Sequence, residues 1–343
     1  MPSPDEFALI RSWTAGRQSA ERLALAGVKT GIGDDAAVVS PEQGHDLLLA
    51  MDTMVEEIHF LPETMEDADI GYKALAANVS DIAAMGGKPL HALISVSVPS
   101  AWGPERMASL YDGFYECADQ YGIAVVGGDT TVSRRHLVVA VTLTGAVPSG
   151  RAVTRSGASP DEIVFVTGPV GLSAGGLYGM LPPGEGGRVP PFPPERLVRA
   201  HRKPVPSVSA GRILADEGWA TSLNDVSDGL ASEAWEIAES SGVTLVLHEN
   251  RLPLSGELAA YASACRMDPL EWMLYGGEDY VLLGTAERRN AEAIQTRFRA
   301  EGLPFFVIGE TESGSPGVYL DSQDPGRARK PIAKRGYNHF TKG

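Results

Sequence analysis

Ala74-Leu75-Ala76-Ala77-Asn78-Val79-Ser80-Asp81-Ile82-Ala83-Ala84-Met85-Gly86-Gly87 is the stretch on which the fold turns. Extended back to Asp67, it predicts a helix over 67–85 that the two glycines close. Asn78 and Asp81 stand three apart and so share a face of that helix. Ala77, Val79, Ile82 and Ala83 surround them, and a carboxylate among apolar side chains needs a partner. Outward from this helix lie β-rich runs at 36–39, 46–51, 92–98, 123–126 and 137–147, each bounded by Gly, Pro or Asp. A second helix over 104–121 opens on Pro104 and stops at Gly122. Strands and helices interleaved in this way predict a mixed N-terminal domain over residues 1–149.

A second domain, 150–343, is expected to open with a strand at 162–167. The turn Gly168-Pro169-Val170-Gly171 and a helix of small residues from Leu172 follow. Residues 182–194, dense in Pro and Gly, read as a surface loop. Helices are expected at 207–217 and 229–241, and strands at 243–247, 280–284 and 305–308. No period of repetition appears. The fold class is α+β, with two α/β domains.

Composition narrows the function. With 343 residues and 43% hydrophobic content the chain can build two ordinary cores. No run approaches the roughly 18 apolar residues of a membrane span. The opening Met1-Pro2-Ser3-Pro4-Asp5-Glu6 has neither the basic nor the apolar region of a signal peptide, so a cytoplasmic location and no membrane partner are expected. Cys117 and Cys265 lack metal-ligand or redox spacing. The net charge of −15, from 44 acidic and 29 basic residues, opposes binding to nucleic acid.

The chemistry lies in five aspartate motifs: Gly33-Asp34-Asp35, Asp52-Thr53, Ser80-Asp81, Gly127-Gly128-Asp129 and Asp225-Val226-Ser227-Asp228. Four are read as sitting where an apolar segment breaks off into a turn. Each has a plain structural reading too. Gly33-Asp34-Asp35 and Gly127-Gly128-Asp129 suit turns, and Ser227 or Asp228 suits the N-cap of the following helix. That same helix start offers N–H groups to an anion. Asp52 is read as ending its strand. Gly276-Gly277-Glu278-Asp279-Tyr280 reads as a turn entering a strand, unless Glu278 faces a ligand. Taken together, so many carboxylates call for hard divalent cations, Mg²⁺ above all, and Mg²⁺ accompanies nucleotide phosphates. Thr154-Arg155-Ser156-Gly157 adds a cation. Phosphoryl transfer is the expected chemistry.

These residues, in order, resemble the thiamine-monophosphate kinase family, within the superfamily of aminoimidazole ribonucleotide synthetase and selenophosphate synthetase. The resemblance runs from Phe7 to Phe340. It begins at Gly31-Ile32-Gly33-Asp34-Asp35 and Asp52-Thr53-Met54-Val55 with His59-Phe60. Lys73-Ala74-Leu75-Ala76 leads into Ser80-Asp81-Ile82-Ala83-Ala84-Met85-Gly86, and Gly127-Gly128-Asp129-Thr130-Thr131 comes next. The second half matches at Thr154-Arg155-Ser156-Gly157, Asp225-Val226-Ser227-Asp228-Gly229-Leu230, Gly276-Gly277-Glu278-Asp279-Tyr280 and Gly336-Tyr337-Asn338-His339-Phe340. One departure stands out: Ala50 and Met51 occupy positions where the family commonly has hydroxyl residues, which leaves only a backbone carbonyl from Met51 to serve there.

The resemblance implies ATP-dependent phosphorylation of thiamine monophosphate by direct in-line transfer. It implies a homodimer whose N-terminal strands form a barrel across the two copies. Asp35, Asp52, Asp81, Asp129, Asp225 and Asp228 would hold Mg²⁺, with Asp34 the less favoured of its pair. Gly128, Asp129, Arg155 and Ser227 would meet ATP. His59, Glu278 and Tyr337 would meet the thiamine half. No general base is implied, because a phosphate monoester with a second pKa of about 6 is already largely deprotonated at neutral pH.

Overall fold

The structure is a computed structural model and describes residues 12–30, 38–40, 43–182, 189–322 and 328–336. Two compact units divide the chain. One runs up to Ile82 and resumes over Lys88–Ser149; the other takes Ala83–Gly87 and everything from Gly150.

The first unit contains, in order, α1 (Ala20–Leu25), β1 (Val28–Thr30), β2 (Val38–Val39), β3 (His45–Val55), α2 (Asp67–Ala84), β4 (Lys88–Pro99), α3 (Pro104–Tyr121), β5 (Ala124–Ser133) and β6 (Val138–Pro148). β1 and β2 make a small antiparallel pair, and a four-stranded sheet has the order β3-β6-β4-β5. Only β4 and β5 run parallel. A parallel pair needs a crossover, and α3 supplies it, with Pro104 in its first turn and a left-handed Gly122 closing it. α2 and α3 cross on glycine: a Cβ on Gly71 would lie 2.0 Å from the Leu110 carbonyl oxygen, and one on Gly113 1.8 Å from that of Ala68. Ile70, Leu75 and Val79 of α2 and Leu110 and Phe114 of α3 are buried, as are Ile94, Val96, Val139, Val141 and Leu143 of the sheet.

The other face of this sheet is open. Leu47, Leu49 and Met51 are 63%, 70% and 65% exposed, and Leu93 is exposed as well. Burying the three β3 side chains and Leu93 would be favourable at about 25 cal/mol per Å².

Two expectations change here. β3 does not end at Asp52 but continues to Val55, and β5 does not end in a Gly-Gly-Asp turn but runs on to Ser133. Continuous pairing of β3 with β6 and of β5 with β4 supplies the hydrogen bonds that keep both strands going. In β5 the anomaly is absorbed as a register shift beside Ala92 and Leu93, the local signature of a bulge. Gly128 is required there, since a Cβ would come within 1.8 Å of the Ile94 carbonyl oxygen.

The second unit holds β7 (Glu162–Val166), α4 (Leu172–Met180), α5 (Glu195–Arg202), α6 (Val208–Asp216), β8 (Ala220–Asp225), α7 (Leu230–Ser241), β9 (Thr244–His248), α8 (Gly256–Cys265), α9 (Pro269–Tyr275), β10 (Leu282–Glu287), α10 (Ala291–Ala300), β11 (Phe306–Glu312), β12 (Gly317–Asp321) and β13 (Lys330–Pro331). Its sheet has the order β13-β12-β9-β11-β7-β10-β8. Both faces are covered. Val164 and Val166 join Leu230, Ala234 and Ile237 of α7 in one core, whereas Ile163 and Phe165 join Leu214 of α6 and Phe298 of α10 in another. Every residue of β7 is accordingly buried. β8 escaped the sequence reading because Thr221, Ser222, Asn224 and Asp225 make it a polar edge strand. Among the described residues neither sheet closes on itself, and no helix is long and apolar enough to cross a membrane.

Candidate functional site

In the first unit the site is built where β3 faces α2. Side chains alternate along a strand, and Leu48 and Met54 are buried while Leu47, Leu49 and Met51 are exposed. Asp52 therefore belongs to the helix side, where its carboxyl is hydrogen-bonded to that of Asp81. Burial pushes the Asp52 carboxyl above the ordinary aspartate range, against the pull of Asp81 and of nearby His59. His59 is held by the backbone: the Val55 N–H donates to its Nδ1 over 3.0 Å. That bond makes Nδ1 the acceptor, so in the neutral ring the proton is on Nε2. Asn78 is buried and donates to the Ala74 carbonyl over 3.1 Å.

Asp129 is not brought to this group. Register places it in a row with Ser95, Ala140 and Thr53, while Gly128 shares a row with Ile94, Val141 and Asp52. Thr130, next along, is hydrogen-bonded to Tyr111 of α3. The pleat thus gives Thr130 to the helix side and the exposed Asp129 to the open face.

In the second unit β8 ends on Asp225, which is buried, and half-buried Ser227 and Asp228 turn the chain into α7. Neither caps the helix. Gly229 is the N-cap, without a side-chain bond, and Glu233 reaches back from the first turn to accept the Asp228 N–H over 3.1 Å. The Ser227 carbonyl instead accepts from the Glu278 N–H at 2.7 Å, and the Val226 carbonyl from the Tyr280 N–H at 2.9 Å. The Asp225–Asp228 turn and the Gly276–Tyr280 segment are in this way zipped together.

Burial pushes Glu233 up to about 9, reinforced by the charges of Glu236, Asp225 and Asp228 and opposed by the Asp228 N–H. Asn224 donates to both Glu233 and Glu236. Its Oδ1 accepts from Arg155 Nε at 3.0 Å, and Arg155 also pairs with Glu236 at 3.1 Å.

Glu278 pairs with the buried His201 at 3.3 Å, and Ser173 Oγ lies 3.0 Å from the same imidazole Nδ1. Its neighbour Asp279 is pushed up to about 7 by burial while the N–H groups of Gly171, Ser173 and Leu172 draw it down. Asp279 thus anchors the start of α4. Glu278 and Tyr280 on either side have positive φ of 64° and 52°, strained for non-glycine residues. Residues 332–336 approach as well. Trp235 Nε1 donates to the Ile332 carbonyl over 2.9 Å, and a Cβ on Gly336 would lie 2.6 Å from the Asp228 carbonyl oxygen. Asp34, Asp35 and Tyr337 lie outside the described residues.

The sequence reading missed Asn224, Glu233, Glu236 and His201. Glu233 and Glu236 were legible in principle: they are three apart on a helix otherwise lined by Leu230, Ala234 and Ile237, directly after an aspartate motif. Mg²⁺ suits what is present, since carboxyls held together and half-buried, as Asp52 and Asp81 are, share a proton or a hard cation. Among the described residues, however, no three His, Cys, Asp or Glu side chains gather closely enough to hold a metal ion.

Residues 33–147 match the model for the AIR synthase related protein, N-terminal domain, and residues 159–321 that for its C-terminal domain. The thiamine-monophosphate kinase of Bacillus subtilis is 39% identical over 336 residues, covering 98% of this chain and 99% of that one. A crystal structure of thiamine-monophosphate kinase from Stenotrophomonas maltophilia superposes with a TM-score of 0.77 at 32% identity, covering 88% and 95% of the two chains. AaThiL complexed with AMPPCP and TMP gives a TM-score of 0.72 at 31% identity, covering 95% and 96%.

Proposed function

This chain belongs to the thiamine-monophosphate kinase family, and on that premise we propose that it transfers the terminal phosphoryl group of ATP to thiamine monophosphate, giving thiamine diphosphate and ADP. The observation that carries the reading, beyond family membership, is the hydrogen-bonded carboxyl pair of Asp52 and Asp81, which can exchange its shared proton for a hard cation.

The nucleophile is an oxygen of the substrate's own phosphate, largely ionised at neutral pH, so no side chain has to remove a proton. The barrier is repulsion between two polyanions: two charges about 4 Å apart at an effective dielectric of about 20 repel by roughly 4 kcal/mol. Mg²⁺ held by Asp52 and Asp81 in the first unit and by Asp225 and Asp228 in the second, with Asp35 as a further ligand, would supply the neutralising charge, whereas Asp129, on the open face of the four-stranded sheet, drops out of the set. Gly128 opens the backbone beside the nucleotide, Ser227 orients it, and Arg155 offers its guanidinium to the phosphates. His59, Glu278 and Tyr337 take the thiamine half, Glu278 by its negative charge and Tyr337 by its ring face against a cationic heterocycle.

We place the protein as a homodimer in which two four-stranded sheets form a barrel around the apolar face of Leu47, Leu49 and Met51. Among the described residues β3 and β5 are the edge strands of that sheet, and edge strands invite pairing.

The test is direct. Protein given ATP, Mg²⁺ and thiamine monophosphate should form thiamine diphosphate and ADP, and should stop in excess chelator. Undiminished turnover in chelator, or product from free thiamine but not from its monophosphate, would refute the reading.

A further inference from the structure

Arg155 lies in an exposed segment, yet its side chain is fixed by a residue that the aspartate motifs do not include. Asn224 on β8 is buried and spends its whole amide on three partners. Its Oδ1 accepts from Arg155 Nε at 3.0 Å, and its Nδ2 donates to Glu236 at 2.9 Å and to Glu233. Glu236 closes the ring by pairing with Arg155 Nη1 at 3.1 Å. The backbone on either side is pinned too. The Leu223 N–H donates to the Thr154 carbonyl at 3.0 Å, and Ser241 Oγ donates to the Arg155 carbonyl at 3.2 Å. Glu233 in turn holds the Asp228 N–H, so one amide joins the guanidinium to the Asp225–Asp228 turn.

We infer that Asn224 is a positioning residue for nucleotide binding, holding the Arg155 guanidinium in one orientation relative to the Asp225–Asp228 turn. An amide is the side chain that fits. It can accept from a cation on one side and donate to two carboxyl groups on the other, which neither Asp nor Leu can do. Among the described residues, Asn224 and Glu236 engage two of the five guanidinium N–H groups, and the others can meet phosphate oxygens. The inference rests on the proposed function only in assigning Arg155 to the nucleotide.

Binding of a nonhydrolysable ATP analogue with Mg²⁺, measured by calorimetry, tests it together with the KM values for both substrates. Asn224→Ala should weaken analogue binding about tenfold, as loss of one hydrogen bond to a charged group does. KM for thiamine monophosphate should stay within about twofold. The decisive variant is the double one: if Asn224 acts through Arg155, Asn224→Ala/Arg155→Ala binds no more weakly than Arg155→Ala alone. Losses that multiply, or analogue binding by Asn224→Ala as tight as that of the unaltered protein, overturn the inference. Should Asn224→Ala fail to fold, Glu236→Gln on the half-buried side of the ring serves instead. It should weaken binding about threefold and be silent in an Arg155→Ala background, and an unchanged affinity overturns the inference. Unaltered protein that makes thiamine diphosphate while these variants bind normally sinks only the role of Asn224. Unaltered protein that neither binds the analogue nor makes product sinks the functional reading and this one with it.

Discussion

The two acidic groups of this molecule are stabilised in different ways. In the first unit Asp52 and Asp81 meet carboxyl to carboxyl, with His59 as the nearby basic group that lowers the cost. In the second unit Asp225, Asp228, Glu233 and Glu236 are crowded, but Asn224 and Arg155 are woven among them with donors aimed at the oxygens. Crowded carboxylates survive burial by keeping a proton, by finding a donor or by binding a cation. The second group carries part of its compensation in the chain itself. The first has a hydrogen bond between the two carboxyls and the nearby His59 in that part, so the two should respond differently to loss of charge and of metal.

The largest effect should come from the first group. Asp81→Asn should lower kcat at least about 10³-fold, the scale of removing several kcal/mol of metal-assisted stabilisation. The same variant should melt higher than the unaltered protein in chelator, because one of two facing carboxyls is gone. Near-normal turnover with unchanged Mg²⁺ dependence would make Asp81 structural and erase the contrast.

Leu49→Glu tests the open sheet face that only the first unit possesses. A charge amid Leu47 and Met51 should convert a homodimer into monomers at micromolar concentration, read by light scattering, with secondary structure intact. A monomeric unaltered protein, or a variant that stays dimeric, removes association from that face.

Tyr337→Ala probes the proposed thiamine contact. It should raise KM for thiamine monophosphate several-fold, in keeping with roughly 0.5–2 kcal/mol for a cation over a ring, and leave KM for ATP unchanged. Equal shifts in both, or in neither, would reduce the tail to a structural strap.

A further contrast is in stability against pH. The folded Glu233 is pushed up from 4.5 to about 9, so its protonated form is the one the fold prefers. The stability it contributes is fully present below about pH 4.5 and is lost as pH rises towards 9. Asp52, also raised, acts with the same sign from the ordinary aspartate range upward. In chelator the melting temperature should fall across this window, and Glu233→Gln should flatten the fall. A melting temperature that climbs with pH would contradict both assignments.

Much of this was open to reading. The helix of Asp67 onward, the helix from Pro104 to Gly122 and the strand opening the second unit follow from periodicity and from Pro and Gly at their ends, which act locally. Asp52 and Asp129 were misread as strand ends because an acid after an apolar run looks like a stop. Pairing with β6 and β4 carries both strands onward. The capping role expected of Ser227 or Asp228 went to Glu233 and Gly229, since the Ser227 carbonyl is taken by Glu278 and the turn is shaped by that longer-range bond.

Residue type supplied the set of groups available: a surplus of carboxylates in motifs, an arginine near the domain boundary, and glycines where backbones must approach. These are properties of residue type and of neighbours within one or two helical turns. Tertiary structure alone decided which groups meet. It set Asp52 against Asp81 and sent Asp129 to the other face of the same sheet. It also closed Asn224, Glu236 and Arg155 into a ring across 82 positions of chain. Strand register and helix packing fix those meetings, and both depend on hydrogen bonds and buried surface contributed by residues far apart in the chain.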